Sequence, residues 1–214
     1  MSDERTPRRA AGRTALVIMV PEADPVVGDA RQRYDPAAAE GAPAHLSVLY
    51  PFLPVERIDA GVLTALRELF AGHEPFEVRF PRFGRFPDLL WLAPEPDGPV
   101  RALTASVTAR WPETPPYGGA FGDPAPHLTV AHRQPEDVHE AVEKECADAL
   151  ALLRTRVAEV QLVVFDGIRW GQHTAFRLGG DGGDVSSGSS GSGSSGSSGS
   201  SGIDGGGSRD GDGD

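Results

Sequence analysis

The chain contains 214 residues, with 31 acidic and 20 basic side chains and a formal net charge of -11. A chain this acidic is poorly suited to broad electrostatic binding of duplex nucleic acid, although a small phosphate site lined by a few arginines is compatible with it. The single cysteine, Cys146, excludes an internal disulfide and a thiolate cluster for zinc, and its place in a helical pattern predicts a buried, unreactive thiol.

Composition divides the chain into three parts. Residues 1–13 are predicted to be a flexible N-terminus, and residues 14–178 to form one domain with a hydrophobic core. Residues 179–214 are almost all glycine, serine and aspartate, which predicts a disordered tail. The longest early apolar run, residues 15–20, is too short for a signal sequence or a membrane span. We therefore expect a cytoplasmic monomer without membrane contact.

Apolar periodicity predicts an alternation of strands and helices along the domain. The predicted strands cover residues 14–20, 45–48, 76–80, 89–93, 127–130, 160–164 and 174–178. Amphipathic helices are predicted over residues 55–70, 97–110 and 138–153, a Pro/Gly-rich loop over residues 112–126, and turns at residues 83–84 and 166–167. The fold class is α+β: a bilobal, duplicated fold with two antiparallel sheets around a central cleft and helices on the outer faces.

An internal repeat is the most informative feature of the sequence. The segment HLSV at residues 45–48 recurs as HLTV at residues 127–130, and the same shift relates the Glu-Val pair at residues 77–78 to that at residues 159–160. Two copies of this length are too few and too long for a solenoid. The repeat therefore predicts two similar lobes packed about a pseudo-twofold axis.

Each repeated segment combines a histidine with a hydroxyl two residues later. Successive side chains of a strand point to opposite faces, so His45 projects with Ser47, and His127 projects with Thr129. If the lobes face one another, the cleft holds two imidazoles and two hydroxyls. Such a set suits in-line displacement at phosphorus, with one histidine as general base, the other as general acid, and the hydroxyls bound to the nonbridging oxygens. This chemistry needs neither a metal nor a cofactor.

On these residues the sequence resembles the two-histidine (2H) phosphoesterases, and among them the 2'-5' RNA ligase-like proteins or RNA 2',3'-cyclic phosphodiesterases. Their mark is a pair of His-x-Thr/Ser-x motifs, one in each lobe, and the resemblance covers about residues 14–178. It implies metal-independent chemistry on 2',3'-cyclic phosphates and, in some members, reversible joining of RNA ends through a 2'-5' bond. It also implies that His45 and His127 are the catalytic pair, with Ser47 and Thr129 binding phosphate. His45 would be the acid and His127 the base, with a 2'-phosphate as product.

The sequence departs from the family after the second motif. Many relatives place an arginine five residues after the second histidine, whereas here that position is His132 and the arginine follows as Arg133. Tyr50 occupies the equivalent place after the first motif, where it would either stack on a base or pack against the protein. These three residues are the candidates for positioning the substrate.

The other histidines do not extend the motif. His73 and His139 are predicted to be solvated, and the hydroxyl next to His173 is only one residue away, at Thr174, so it would point to the other face. A surface position is favoured over phosphate contact for Arg79, Arg82 and Arg85, and core packing is favoured over base stacking for Phe83, Phe86, Trp91 and Trp170.

The sequence therefore predicts a metal-independent phosphodiesterase that acts on RNA 3' ends or small cyclic nucleotides, with 2'-5' ligation as the reverse direction of the same chemistry. An alternative is a noncatalytic module that binds nucleotides or RNA ends on the same fold. A third interpretation assigns the function to the Gly/Ser/Asp tail as a flexible tether.

Overall fold

The computed structural model describes residues 10–180, all of which belong to one compact unit. The predicted flexible N-terminus lies outside the described residues up to position 9, and the predicted tail lies outside them from position 181. The N–H groups of Gly179 and Gly180 donate to the carbonyls of His73 and Ala71, at 2.6 and 2.9 Å. These bonds fasten the end of the described chain to the segment around residue 72.

Eight strands and five α-helices follow one another along the described chain. The strands are β1 Arg13–Met19, β2 His45–Leu49, β3 Phe76–Phe86, β4 Leu89–Glu95, β5 Leu128–His132, β6 Arg154–Val157, β7 Glu159–Phe165 and β8 Trp170–Arg177. The helices are α1 Asp24–Tyr34, α2 Pro36–Ala39, α3 Ala60–Ala71, α4 Gly98–Arg110 and α5 Glu136–Leu150, with short 3-10 turns at Pro21–Ala23, Val55–Arg57 and Pro116–Gly119.

The strands form two antiparallel sheets of four. The first has the order β2-β1-β7-β8 and the second the order β5-β4-β3-β6. This arrangement of sheets and helices confirms the predicted α+β class. Helix α1 packs on β5 of the second sheet, and α4 packs on β2 of the first. Both motif strands, β2 and β5, are edge strands, and they contact each other.

The repeat is visible in the topology, but each copy contributes to both sheets. The series β1-α1-β2-α3-β3 corresponds to β4-α4-β5-α5-β7, with β3 and β7 each third in the order of their sheets. After α3 the chain leaves the first sheet to form β3 in the second, and after β6 it returns to form β7 in the first. The two sheets are therefore built by exchange of strands between the repeats, and neither sheet is the product of one repeat alone.

Helices α3 and α5 occupy the predicted segments with shifted ends. Helix α3 begins at Ala60 rather than at residue 55, because residues 55–57 form a 3-10 turn, and α5 covers Glu136–Leu150 rather than residues 138–153. The Asp59 carboxylate accepts a hydrogen bond from the Val62 N–H at 2.8 Å and so caps α3, which buries Leu66 and Phe70. Helix α5 has two acidic residues in its first turn, where they favourably face the helix dipole. Cys146 is buried on α5, as predicted.

Four sequence-based expectations are wrong or incomplete. His139 is only 3% exposed, because it shares the buried face of α5 with Val142 and Cys146. His73 is half-buried, with its Nε2 3.0 Å from the Ser106 hydroxyl. Helix α1 and strand β6 were not predicted, because α1 is polar and interrupted by proline and glycine, and β6 has only four residues.

The turn expected at residues 83–84 is also wrong, because β3 runs through it to Phe86 and the chain reverses at residues 87–88. Gly84 is instead a point of close approach. A Cβ atom there would lie 2.3 Å from the Trp91 ring, so only glycine lets the indole lie flat against β3. The turn predicted at residues 166–167 does join two strands, β7 and β8.

The two faces of the first sheet differ. One face, with Leu16 and Ile18, joins the main core that both sheets and the helices share. The other carries a smaller cluster of Ala15, Val17 and Val163. None of the helices between residues 10 and 180 is both long and apolar enough to cross a membrane.

Candidate active site

The two motifs occupy matching positions on the edge strands. His45 opens β2 opposite Met19, and His127 directly precedes β5. Ser47 pairs with Val17, so the first motif lies on the face of the sheet that the helices leave uncovered. Thr129 pairs with Trp91 in the second sheet. Strands β2 and β5 contact each other, and a charge on His127 would lower the pKa of His45, so the two imidazoles belong to one site.

Both motif strands carry the same β-bulge directly after the hydroxyl. The pairing of β2 with β1 skips Val48, and that of β5 with β4 skips Val130. The burial pattern is identical in the two segments, residues 45–50 and 127–132, with two successive buried residues after the hydroxyl. The extra residue turns Tyr50 and His132 back to the face that holds the motif side chains. Tyr50 and His132, which are equivalent in the sequence repeat, therefore occupy equivalent positions on the two motif strands.

A helix from the opposite repeat supports each bulge. The Thr104 hydroxyl of α4 donates to the Val48 carbonyl at 2.8 Å. On the other side, Arg31 of α1 donates from Nε to the Thr129 carbonyl at 3.1 Å. A carbonyl at a bulge on an edge strand lacks a regular ladder partner, so these side chains supply one.

Arg31 is a residue of the site that the sequence did not indicate, because α1 itself was not predicted. It is 3% exposed, and its Nη2 donates to the Asp35 carboxylate at 3.0 Å and to the Ala42 carbonyl at 3.2 Å. Its bond to Thr129 reaches the second motif, and its bond to Ala42 reaches the segment before His45. One buried ion pair thus fixes both motifs to α1.

The backbone fixes the tautomer of both histidines in the same way. Nδ1 of His45 lies 2.7 Å from the Pro43 carbonyl, and Nδ1 of His127 lies 2.8 Å from the Ala125 carbonyl. A carbonyl oxygen only accepts, so Nδ1 carries the proton in the neutral ring and Nε2 is left with its lone pair. Each Nε2 is therefore the atom that can take a proton from a substrate or return one to it.

Burial lowers the pKa of both imidazoles below the ordinary 6.5, because desolvation penalises the charged ring. The hydrogen bonds to Pro43 and Ala125 oppose this in each case. For His45 the positive charges of Arg31 and His127 lower the pKa further, while Asp35 raises it. Both rings are therefore mainly neutral at pH 7, and a bound phosphate anion would favour the proton that the acid must hold.

Aromatic rings surround His127. Tyr117 stacks on the imidazole at a centroid distance of 6.2 Å and an interplanar angle of 17°. Trp91 and Phe86 approach it edge-on at 5.9 and 6.0 Å, and they stack on each other at 5.0 Å. The expectation that these two rings pack in the core is wrong for Phe86, which is 42% exposed, because β3 extends past Gly84 and carries it to the site.

Tyr117 was missed because it lies in the predicted loop, where no periodicity identifies a functional face. Its ring stacks on His127 and its phenol interacts with Ser47, so it reaches both motifs. Burial raises the pKa of Tyr117 above its ordinary 10.0, and the interaction with Ser47 opposes the rise. The only sequence signal is a tyrosine between two prolines and two glycines, shortly before the second motif.

The candidates for substrate positioning fall into two groups. Tyr50 accepts a hydrogen bond from Arg13 at 3.2 Å and packs edge-on against Trp170 at 6.0 Å. His132 ends β5 on the motif face. Arg133 is exposed beyond the end of the strand, and its N–H donates to the Asp88 carbonyl at 2.6 Å. Tyr50 and His132 thus share a face with the motifs, whereas Arg133 follows the strand end.

A groove of about 730 Å³ begins at Tyr50 and Tyr117, next to the Ser47 end of the site. Its walls include two further groups suited to a nucleotide, the Arg13 guanidinium and the Phe121 ring, which is 62% exposed. Glu56 also lines the groove. Across the described part of the chain, no three histidine, cysteine or carboxylate side chains converge as a metal site would require.

Comparison with known proteins agrees with this geometry. Residues 19–169 match the family described as the 2'-5' RNA ligase superfamily. A protein of Bacillus pumilus (strain SAFR-032), provisionally named a phosphoesterase, is 29% identical over 164 residues, which cover 71% of this chain and 88% of the relative. A similarly named protein of Bacillus licheniformis is 28% identical over 165 residues, covering 70% of this chain and 88% of the relative.

Solved structures share the fold at lower identity. TT0787 of Thermus thermophilus is 20% identical with a TM-score of 0.54, covering 79% of this chain and 99% of that one. LigT of E. coli in its apo form is 17% identical with a TM-score of 0.52, covering 80% of this chain and 99% of that one. The family match extends over more than half of the chain and includes both motifs. The chain therefore belongs to the 2'-5' RNA ligase superfamily, a group of 2H phosphoesterases.

Proposed function

We propose that the protein is a metal-independent phosphodiesterase that opens the 2',3'-cyclic phosphate of RNA 3' ends or of small nucleotides. The observation that carries this proposal is the pair of histidines with the same fixed tautomer. His45 and His127 both have Nδ1 bound to a backbone carbonyl and Nε2 left for proton transfer. Each has a hydroxyl two residues along its strand, at Ser47 and Thr129.

The reaction follows from these atoms. Nε2 of His127 accepts a proton from water as the water oxygen attacks phosphorus, and the new P–O bond forms in line with the bond that breaks. The P–O3' bond breaks, and the departing O3' takes the proton held on Nε2 of His45, which leaves a 2'-phosphate. Ser47 and Thr129 donate hydrogen bonds to the nonbridging oxygens, where negative charge increases in the transition state.

The same arrangement supports ligation. If the 5'-hydroxyl of a second RNA end replaces water, the same proton transfers form a 2'-5' phosphodiester bond. By microscopic reversibility, the two histidines then exchange acid and base roles in the reverse direction. Water is far more concentrated than RNA ends, so hydrolysis is the direction favoured with small substrates.

Two features support a nucleotide as substrate. Aromatic rings surround His127, and the groove beside Ser47 combines an exposed aromatic ring, Phe121, with the Arg13 guanidinium. Base stacking on aromatic side chains is tolerant of sequence and suits single-stranded ends. LigT of E. coli, which shares the fold, has been crystallised with 3'-AMP and with NADP+, both of which are nucleotides.

Phosphorus NMR tests the proposal directly. Purified protein is incubated with a nucleoside 2',3'-cyclic phosphate and with a short RNA that ends in one, in the presence of EDTA. We expect conversion to a single phosphate isomer, the 2'-phosphate, by the wild type, and conversion that is about 10²- to 10⁴-fold slower with His45→Ala or His127→Ala. His173→Ala is the matched control, because this histidine is exposed on β8 and outside the site.

Each alternative outcome is informative. Binding of the cyclic phosphate without conversion would contradict the phosphodiesterase proposal and favour the noncatalytic module. Conversion that EDTA abolishes would contradict the metal-independent mechanism. Release of the 3'-phosphate would mean that O2', and not O3', is the leaving oxygen. The acid and base roles of His45 and His127 would then be exchanged.

A further inference from the structure

We propose that Tyr117 is a third hydroxyl of the phosphate site and the residue that positions the His127 ring, so that one side chain joins the two motifs. This inference rests on the proposed function, because it assigns a contact within the same site. Tyr117 is neither part of a motif nor on a motif strand. Its role therefore depends on geometry rather than on its place in the sequence.

The hydroxyl is the first part of the argument. The ring of Tyr117 lies parallel to His127 of the second motif, and its phenol interacts with the Ser47 side chain of the first. A phosphate oxygen bound by Ser47 is therefore within reach of the phenol as well. Because burial keeps this phenol protonated through neutral pH, it donates to the phosphate and cannot repel it.

The ring is the second part. Tyr117 lies nearly parallel to the His127 imidazole, at 17° and 6.2 Å, and Trp91 approaches the same imidazole at 65°. The bond from Nδ1 to the Ala125 carbonyl fixes one atom of the ring, and the stack fixes its plane. Together they fix the direction of Nε2, which is the atom that transfers the proton. Tyr117 therefore acts through His127 as a positioning residue.

The backbone is the third part. Tyr117 has φ 53°, in the left-handed region that residues other than glycine seldom adopt. Its N–H donates to the Tyr50 carbonyl at 2.6 Å, and Gly118 donates to the Pro115 carbonyl at 2.9 Å. Such a conformation persists only where its surroundings hold it. Here the end of the first motif strand holds the backbone while the ring contacts the second motif.

The test separates the hydroxyl from the ring. Tyr117→Phe keeps the ring and removes the hydroxyl, whereas Tyr117→Leu removes both. Tyr34→Phe is the control, because this tyrosine lies on α1 outside the site, where it packs on the main core. For Tyr117→Phe we expect kcat on the cyclic phosphate to fall about 10- to 100-fold, as for loss of one donor to a developing oxyanion. We expect the Kd for inorganic phosphate to rise about three- to tenfold.

The positioning role has its own readout. The pKa of His127 is measured by proton NMR of its ring, assigned by comparison with His127→Ala. It should be the same in Tyr117→Phe as in the wild type, and higher in Tyr117→Leu, because loss of the ring lets water reach the imidazole. Thermal unfolding shows whether each variant is folded at the measurement temperature. If Tyr117→Leu is not folded, Tyr117→Phe still tests the hydroxyl role. Tyr117→His then replaces Tyr117→Leu as the variant with altered stacking.

Failure of this inference and failure of the proposed function give different results. Wild-type protein that does not convert any cyclic phosphate would contradict the proposed function, while the phosphate titration and the histidine NMR would still test Tyr117. Wild-type phosphate affinity and kcat in Tyr117→Phe would overturn the hydroxyl role. An unchanged His127 pKa in the folded variant that lacks the phenol ring would overturn the positioning role.

Discussion

The strand that carries His45 and the strand that carries His127 share a backbone design and differ in their surroundings. Both histidines bind a carbonyl through Nδ1, and both strands bulge directly after the hydroxyl. The charges of a buried ion pair, Arg31 with Asp35, act on the pKa of His45. The His127 side contains three aromatic rings and no charged group among the causes of its pKa shift.

The difference in surroundings does not separate the two histidines by the direction of their pKa shifts. At His45 burial lowers the pKa, and the charge of Arg31 lowers it more than Asp35 raises it. At His127 the aromatic rings exclude water and favour the neutral ring. Both sides therefore favour a neutral imidazole, and the roles of His45 as acid and His127 as base stay a proposal.

The largest expected effect comes from removing either member of the histidine pair. His45→Ala and His127→Ala should each lower kcat by about 10²- to 10⁴-fold, because each removes one positioned acid or base. The double variant should be little slower than the slower single variant, since the two histidines act as one unit. Steady-state kinetics on a cyclic nucleotide checks this. Additive losses would mean that the histidines act independently.

The next largest effect is on stability, at the buried ion pair of Arg31 with Asp35. Arg31→Met leaves Asp35 buried without its partner and should reduce the free energy of unfolding by about 3–5 kcal/mol. Arg33→Met is the matched control on the same helix, where the pair with Glu145 is solvent-exposed and should cost less than about 1 kcal/mol. Urea denaturation measures both. Equal losses would show that burial does not distinguish the two arginines.

We expect the pH profile of kcat/KM to lie at lower pH than that of two histidines with ordinary pKa values, without a lower maximal rate. The base must be neutral and the acid protonated, so kcat/KM rises with pH through the pKa of the base and falls through that of the acid. Both pKa values are lowered by burial, so both limbs should lie on the acidic side of 6.5 whichever histidine has which role. A rate profile from pH 4 to 9 checks this expectation, and an optimum above 7 would contradict it.

The smallest expected effect tests the hydroxyl that supports the first bulge. Thr104→Val keeps the shape of the side chain but removes the hydrogen bond to the Val48 carbonyl. Loss of one such bond should reduce the free energy of unfolding by about 1 kcal/mol, with a change of less than twofold in KM for the cyclic phosphate. Thr108→Val is the control, because its hydroxyl bonds only within α4. A larger loss of unfolding free energy in Thr108→Val than in Thr104→Val would show that the bond to the bulge does not specifically stabilise the protein.

The internal repeat and the alternation of apolar residues were the two sequence patterns that predicted the structure correctly. Strand alternation and the doubled motif were enough for the fold class and for the juxtaposition of His45 with Ser47. His139 was misjudged although the information was available, since it lies three residues before Val142 and seven before Cys146 on one helical face. Gly84 was interpreted as a turn because glycine usually marks one, whereas its role depends on Trp91, which only the pairing of strands brings close.

Arg31 and Tyr117 could not be predicted for a different reason. Each acts across the sheets, on a motif that lies far away in the sequence. Their positions depend on the packing of α1 on β5 and on a left-handed residue in a loop. No local pattern encodes these features. The roles of Tyr50, His132 and Arg133, and those of the segments outside residues 10–180, stay predictions.

The exchange of strands between the repeats has a consequence for folding. The first repeat contributes β3 to the second sheet, and the second repeat contributes β7 to the first. A fragment that ends between the repeats therefore lacks β7, an inner strand of the first sheet. The first sheet is not complete until synthesis of the chain has passed β7 and reached β8, and both sheets share one core. The domain should therefore unfold in a single cooperative step. Two copies of one repeat would need to pair, each lending its last strand to the other, to reproduce the same core.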